Sequence, residues 1–516
     1  MSVQIQVFKF VSQVMEMEEY GTVISAIDGP CTRKFSFVVK KNASIRKGQF
    51  VEIGIETGRL IGRVADIFKT NRYFARPESV ERYESSKPME EIFPVGNWEY
   101  LVAEVAPLGV YGTDGRFEEV SFPPSPGARV VEPDGGVLSK FLGLDEKGME
   151  IGELPFHTLK VRLNMTRLLQ KHLAILAISG AGKSYLVSVI LEELLRRRRE
   201  DGQLATIIID AHGEYVSLAD DPNFADKVNV VKGEDVKIGL PNLSANQISE
   251  FMPNLSPVQA RELARLLRGM KTGKKQYGPE ELIKMIEEDE KAKSSTKEVL
   301  TSVLCQLVET DMFGVFDNPD VKDIAQQGKV SIIDLSSFVR SVSKQMNVSH
   351  LARKLFNLRR ENEIPPFLLV LEEAHQFVPE TAKAERAMSR SIIQTIAREG
   401  RKFHASLCLI SQRPVQLSTT VLSQCNTHII LRVTNPYDLD HIGESSEGIT
   451  KDVLGQISGL RVGTALVVGE AVNYPIFVRI RKRHSKESAK GMPLEEAARE
   501  FSERAKKKKE DARSFM

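Results

Sequence analysis

At 516 residues the chain is too long for one ordinary core, and two to four folded units are expected. An apolar share of 41% is enough for globular packing. The 71 Lys and Arg nearly balance the 69 Asp and Glu, for a net charge of +2, which excludes a bulk polyelectrolyte; any affinity for nucleic acid has to come from a local arrangement of charge.

Residues 1–130 read as short strands at 20–27, 34–40, 49–56, 59–68 and 98–106. These runs are rich in β-branched and aromatic residues, and Gly and Pro punctuate them. Five or six short strands in this length predict a small β-barrel, which closes its own edges. The segment FPPSPG at 122–127 reads as its exit. No chemistry is visible in this part, which reads as an assembly or docking module.

From about 131 the texture changes. Apolar runs at 173–178, 204–210, 228–231, 330–335, 367–371, 405–410 and 428–432 alternate with amphipathic stretches. Continuous apolar strands between helices predict an α/β fold with a parallel sheet covered on both faces. Residues 240–325 interrupt the alternation with a helical pattern in which Leu263, Leu266 and Leu267 share one face, so they read as a helical insertion. The segment 464–480 reads as a β-hairpin ending the sheet. The core therefore spans 131–480, and 481–516 is a basic tail, helix-compatible over 494–509. From Arg479 onward the tail holds thirteen Lys and Arg against seven Asp and Glu.

Cys31, Cys305, Cys408 and Cys425 form no C-x-x-C pair and lie near no His cluster, so reduced, buried thiols are expected. No apolar run approaches the roughly 20 residues that span a bilayer, and no basic-then-apolar leader opens the chain. A cytoplasmic, membrane-free protein is the expectation.

The chemistry begins at 177–184, AISGAGKS, placed between an apolar strand and a helical stretch. This is the context of a phosphate-binding loop. Gly180 and Gly182 allow backbone N–H groups to turn inward around phosphate oxygens, with Ser179 and Ala181 between them. The helix that starts near Lys183 and runs on through Tyr185 adds its positive end. The Lys183 ammonium reaches the terminal phosphates, and the Ser184 hydroxyl suits Mg²⁺. Ala177 stands where the usual pattern has Gly. ATP and Mg²⁺ are the implied ligands.

The run FLLVLEEAH at 367–375 ends five apolar residues in two carboxylates. On a strand beside the P-loop strand, Glu372 would hold Mg²⁺ through water and Glu373 would polarise the attacking water. Asp210, His212 and Glu214 follow the strand 204–210 and crowd the same sheet edge; a helix cap and turn is the alternative. Gln412, in ISQRP, sits where a polar sensor of the γ-phosphate is expected. Arg398 and Arg401, in AREGRKF, are candidates for a charge-stabilising arginine, as are Arg432 and the cation Lys171. Arg353, Lys354, Arg359 and Arg360 are candidate DNA contacts.

The segments AISGAGKS, IIIDAHGEY, VLEEAH, AREGRKF, ISQRP and SQCNTHIILR occur in an order and at spacings that resemble the HerA family, archaeal hexameric DNA helicases and translocases of the HerA–FtsK P-loop group. The resemblance covers roughly residues 10–480, and the N-terminal barrel resembles the HAS-barrel. It implies a RecA-like motor, a ring of six subunits around double-stranded DNA and ATP sites at subunit interfaces. It also implies a partnership with the nuclease NurA in resecting DNA ends, alongside Mre11–Rad50. Lys183 and Ser184 match the family's nucleotide grip, Glu373 its catalytic carboxylate, and Asp210 and Glu214 the motif after the second strand. Two other readings stay open: an ATP-gated ring scaffold or clamp, and a conjugation-type ATPase moving another polymer.

Overall fold

A computed structural model gives the structure of residues 18–25, 29–71, 74, 81, 99–252, 255–273, 276–381, 387–446, 448–486, 494–496 and 498–503. The ends of the expected strands at 26–27 and 98, and most of the tail beyond Lys486, lie outside the described residues. The chain divides into two compact units, Met1–Glu146 with Glu153–Val161, and Lys147–Gly152 with Arg162–Met516.

The first unit is a closed antiparallel barrel. Its strands are β1 (Glu19–Ile24), β2 (Phe35–Val39), β3 (Phe50–Ile55), β4 (Gly58–Asn71), β5 (Glu99–Gly112) and β7 (Arg129–Val131), with the short β6 (Phe117–Glu118) alongside β5. The order β2-β1-β7-β3-β4-β5 returns to β2 through a β2–β5 pairing, so none of these six strands is left as a free edge. Alternating residues point inward, and Phe35, Phe37, Val51, Ile53, Leu60, Val105 and Val130 fill the interior.

Strands β8 (Met149–Glu153) and β9 (Lys160–Leu163) lie where the units divide. In the second unit, β10 (Leu173–Leu176) leads through the glycine loop into α1 (Lys183–Arg196). Then come β11 (Ala205–Asp210) and β12 (Val228–Lys232). The helical insertion follows: α2 (Ala245–Phe251), α3 (Pro257–Gly273), α4 (Pro279–Glu288) and α5 (Ser294–Val308), flanked by the paired two-residue strands β13 (Ile238–Gly239) and β14 (Phe313–Gly314). The sheet resumes with β15 (Val330–Asp334), α6 (Ser341–Arg360), β16 (Phe367–Leu371), α7 (Arg390–Phe403), β17 (Ala405–Ser411) and β18 (Thr427–Ile430). The last strands in chain order are the antiparallel hairpin β19 (Thr464–Gly469) and β20 (Ile476–Ile480), which does not end the sheet as expected, because β8 lies beside β20.

Seven parallel strands run in the order β12-β15-β11-β16-β17-β10-β18. Their buried residues require helices on both faces; α6 contributes Val348, Leu351 and Leu355, and α7 contributes Ile392, Ile393 and Ile396. Each such side chain contributes about 1.5–3 kcal/mol by leaving water. The insertion has its own core, in which Leu263, Leu266 and Leu267 pack with Ile248, Leu282, Leu300 and Leu304.

Two further expectations need correction. The acidic strand β16 is not adjacent to the P-loop strand, because β17 lies between it and β10. The cysteines are not uniformly buried either: Cys408 and Cys425 are, whereas Cys305 is exposed and Cys31 is partly so. Among the described residues no helix is long and apolar enough to cross a membrane.

Candidate nucleotide site

Parallel strands place all their C-terminal ends on one edge of the sheet, and loops there converge. After β10 the backbone turns through Gly180 (φ 74°) and Gly182 (φ 95°), left-handed conformations that a side chain would strain. Ser179 and Gly180 form the exposed tip of the loop, and Ala181 is buried beneath it. Positive φ within the loop is confined to the two glycines, so Ala177 needs no glycine-like backbone. Its N–H bonds the Ser411 carbonyl at 3.2 Å, and the Ile178 N–H bonds that of Arg432 at 3.0 Å. The loop base is thereby pinned to the ends of both neighbouring strands. The first-turn amides of α1 have no carbonyl to meet within their own helix and are free to meet an anion.

Lys183 opens α1 and is 6% exposed. Its Nζ lies 2.7 Å from Glu373 Oε1 and 3.9 Å from Glu372 Oε1. Glu373 sits in a left-handed conformation (φ 49°, ψ 47°) just past β16, which for a non-glycine residue costs about 1–2 kcal/mol. Its Oε1 also accepts a hydrogen bond from Gln412 Nε2 at 2.6 Å. Gln412 reaches it because β17 stands between the other two strands. The ammonium, the amide and the carboxylate expected from the sequence therefore meet at one point.

Glu372 is fully buried. Its Oε2 accepts the Ala211 N–H at 2.9 Å, while Oε1 has no hydrogen-bond partner among the described residues. Burial, reinforced by the nearby Asp210 and Glu214 carboxylates and opposed by Lys183, pushes its pKa up to about 9. The Ser184 hydroxyl donates to Glu214 Oε2. An orphaned buried oxygen and a hydroxyl in an all-oxygen setting fit a hard divalent cation such as Mg²⁺. Among the described residues no group of three or more His, Cys, Asp and Glu could hold a metal unaided, so phosphate and water oxygens would have to complete its shell.

Asp210 does not face the loop. Its Oδ1 accepts the Gly213 and Glu214 N–H groups at 2.7 and 3.0 Å, and its Oδ2 that of Tyr215 at 2.9 Å. It holds the turn that delivers Glu214, so the cap-and-turn alternative describes its contacts. The Tyr185 side chain also points elsewhere, its hydroxyl accepting the Arg483 N–H at 2.8 Å. Arg398 and Arg401 are exposed on α7, whose C-terminal end leads into the start of β17 at the sheet edge opposite the loop; within the chain they do not approach Lys183 or Glu373. Lys171 lies at that opposite edge too, paired with Glu470 at 2.6 Å. Arg432 alone of these cations follows a strand end beside the loop.

The candidate DNA cations have structural contacts. Arg353 pairs with Glu250, Lys354 with Asp317, and Arg359 donates to the Phe403 and Ile364 carbonyls, both at 2.7 Å. Arg360 lies over the Phe356 and Phe403 rings. Sequence reasoning missed other residues. His375 and Ser411 border Glu373 and lie in two of the segments already singled out, VLEEAH and ISQRP. Lys344, which donates to the Ala211 carbonyl at 3.0 Å, carries no sequence signal.

The family described as the central domain of helicase HerA matches residues 149–355. The DNA double-strand break repair helicase HerA of Pyrococcus furiosus is 28% identical over 514 residues, covering 86% of this chain and 89% of that protein. The protein of the same name from Sulfurisphaera tokodaii is 28% identical over 491 residues, covering 90% and 94%. Among solved structures, VirB4 of Thermoanaerobacter pseudethanolicus aligns with a TM-score of 0.52 at 18% identity, covering 65% of this chain and 97% of that one, a likeness of fold. Barrel, insertion-bearing P-loop sheet and relatives matched along most of their length agree: the chain is similar to the HerA helicases over most of its length, and its residues 149–355 match their central domain.

Proposed function

We propose that the chain is an ATP-driven translocase and helicase of double-stranded DNA, working as a ring of six. The observation that carries this reading is the meeting of Lys183, Gln412 and Glu373 at the mouth of the glycine loop. A protein that only binds nucleotide needs the loop and the ammonium. A carboxylate held beside them by a third strand is what hydrolysis needs.

In this reading the loop amides and Lys183 bind the triphosphate, and Lys183 leaves Glu373 as it does so. Ser184 and Glu372 would hold Mg²⁺, which would supply charge neutralisation at the phosphates. Glu373 then orients and deprotonates the attacking water, and Gln412 reports on the γ-phosphate through its bond to Glu373. Arg432 is positioned for its own chain's site, whereas Arg398 and Arg401, facing outward, would serve another copy. Relatives named for DNA double-strand break repair support a role at DNA ends; the nuclease NurA and Mre11–Rad50 are proposed as partners from the family resemblance alone.

The test is ATP turnover by the full chain with and without duplex DNA, alongside sedimentation with and without nucleotide. DNA should raise turnover, Lys183→Ala should abolish it, and nucleotide should favour the ring. Turnover indifferent to both DNA and Lys183→Ala would remove the reading.

A further inference from the structure

We propose that His375 is a positioning residue for Glu373, holding the carboxylate oxygen that Lys183 and Gln412 leave free. The inference rests on the ATPase reading above and adds a residue to it.

Glu373 lies outside any regular element, in a left-handed conformation, so its side-chain direction depends on its contacts. Its Oε1 faces Lys183 at 2.7 Å and Gln412 at 2.6 Å. Its Oε2 faces His375 Nδ1 at 3.3 Å. When Lys183 turns to the phosphates, Oε1 keeps Gln412 and Oε2 keeps His375, and among the described residues those two contacts decide where the base points.

The imidazole is itself fixed. Its Nδ1 lies 3.2 Å from Ser411 Oγ, on a serine that is fully buried. That oxygen accepts the Arg413 N–H at 3.0 Å, which leaves it a lone pair for an imidazole N–H. One tautomer, protonated on Nδ1, donates to Ser411 Oγ and sets the same N–H 3.3 Å from Glu373 Oε2. The titratable and charged groups facing the ring are Glu373, Arg413, Lys183 and His212; burial, with Arg413, Lys183 and His212 nearby, keeps its pKa below the ordinary value against the pull of Glu373. A neutral imidazole turns the positive end of its N–H toward Glu373 without competing for the proton that the carboxylate has to take from water. Ser411 and Gln412 are consecutive, so the end of β17 grips both oxygens of Glu373, one through His375 and one directly.

The test is steady-state ATPase of the full chain with DNA, together with binding of a fluorescent ATP analogue and thermal melting, for H375A, H375N and S411A. A misaimed base costs on the order of 10- to 100-fold. H375A should lose about that much kcat, with nucleotide affinity close to that of the wild type. H375N, whose amide N–H replaces the Nδ1 donor, should recover most of the loss, and S411A should fall between. An H375A chain with wild-type kcat, or an H375N chain as slow as H375A, would overturn the assignment. A wild-type chain that turns over no ATP would instead overturn the ATPase reading on which it stands.

Discussion

The Lys183 ammonium lies 2.7 Å from Glu373 Oε1, so the cation proposed for phosphate and the carboxylate proposed for water form an ion pair. Both groups are almost fully buried. Removing one partner of such a pair leaves an uncompensated charge. Nucleotide binding has to exchange the Lys183–Glu373 contact for a Lys183–phosphate contact, and that competition weakens apparent affinity.

Glu373→Gln should separate binding from turnover. The neutral amide cannot hold the ammonium as strongly, so ATP should bind several-fold tighter than to the wild type. Turnover should fall by about 10²–10⁴, the usual worth of a general base. Equilibrium binding of a labelled ATP and a single-turnover assay measure the two effects. A variant with wild-type turnover would take Glu373 out of the chemistry.

Ala177→Gly should be close to silent. The loop's left-handed positions are 180 and 182, and Ala177 is fully buried with its N–H bonded to Ser411. Extra backbone freedom at 177 gives the phosphates nothing and costs about 0.5–1 kcal/mol of chain entropy. ATP affinity should stay within about two-fold, with a slightly lower melting temperature. A ten-fold gain in affinity would show that the alanine distorts the loop.

The strands were legible because burial on both faces writes them as unbroken apolar runs such as Phe367–Leu371. Their order was less so. Spacing along the chain does not say that β17 enters between β16 and β10, and that insertion is what brings Gln412 to Glu373. The place of the AREGRKF arginines was legible in the sequence: residues just before a parallel strand belong to its N-terminal edge, away from the phosphate loop of their own chain. Glu192 gave no signal at all, because a glutamate in a charged helix reads as solvated and its partners lie near residue 485.

Releasing Glu192 should loosen the chain end that follows β20. This carboxylate, fully buried in α1, accepts from Arg481 Nη1 at 2.8 Å, from the His484 and Ser485 N–H groups at 2.9 and 2.8 Å, and from Ser485 Oγ at 2.7 Å. Burial raises its pKa, but these donors outweigh burial and bring it below the ordinary value. Glu192→Ala removes these four hydrogen bonds, while Arg481 keeps Glu193 at 2.8 Å, the Arg483 N–H keeps the Tyr185 hydroxyl at 2.8 Å and the Lys486 N–H keeps Asp221 at 3.0 Å. The expected loss is on the order of 3 kcal/mol. Urea unfolding should show it, with new protease cleavage at 481–486. An unchanged midpoint would mean that the segment holds α1 by other contacts.

The nucleotide-free chain should lose stability in mild acid through buried histidines. His172 accepts the Leu407 N–H at 3.0 Å on Nδ1 and meets the Ala397 carbonyl at 3.0 Å on Nε2, which fixes a neutral ring. Burial pushes its pKa down to about 4, and burial does the same to His428. The folded state therefore binds fewer protons than the unfolded one between about pH 4 and the ordinary histidine value near 6.5. Stability from these groups is fully present above 6.5 and drains away as pH falls toward 4, by roughly 1.4 kcal/mol per histidine for each pH unit in the middle of that window. Thermal melts of the chain at pH 7.5, 6.0 and 5.0, without nucleotide, should show a falling midpoint that steepens below pH 6.5. His172→Gln should start lower at pH 7.5, because it loses the paired ring, and should then show a shallower decline. A wild-type midpoint flat from pH 7.5 to 5.0 would mean that these imidazoles reach solvent protons without unfolding.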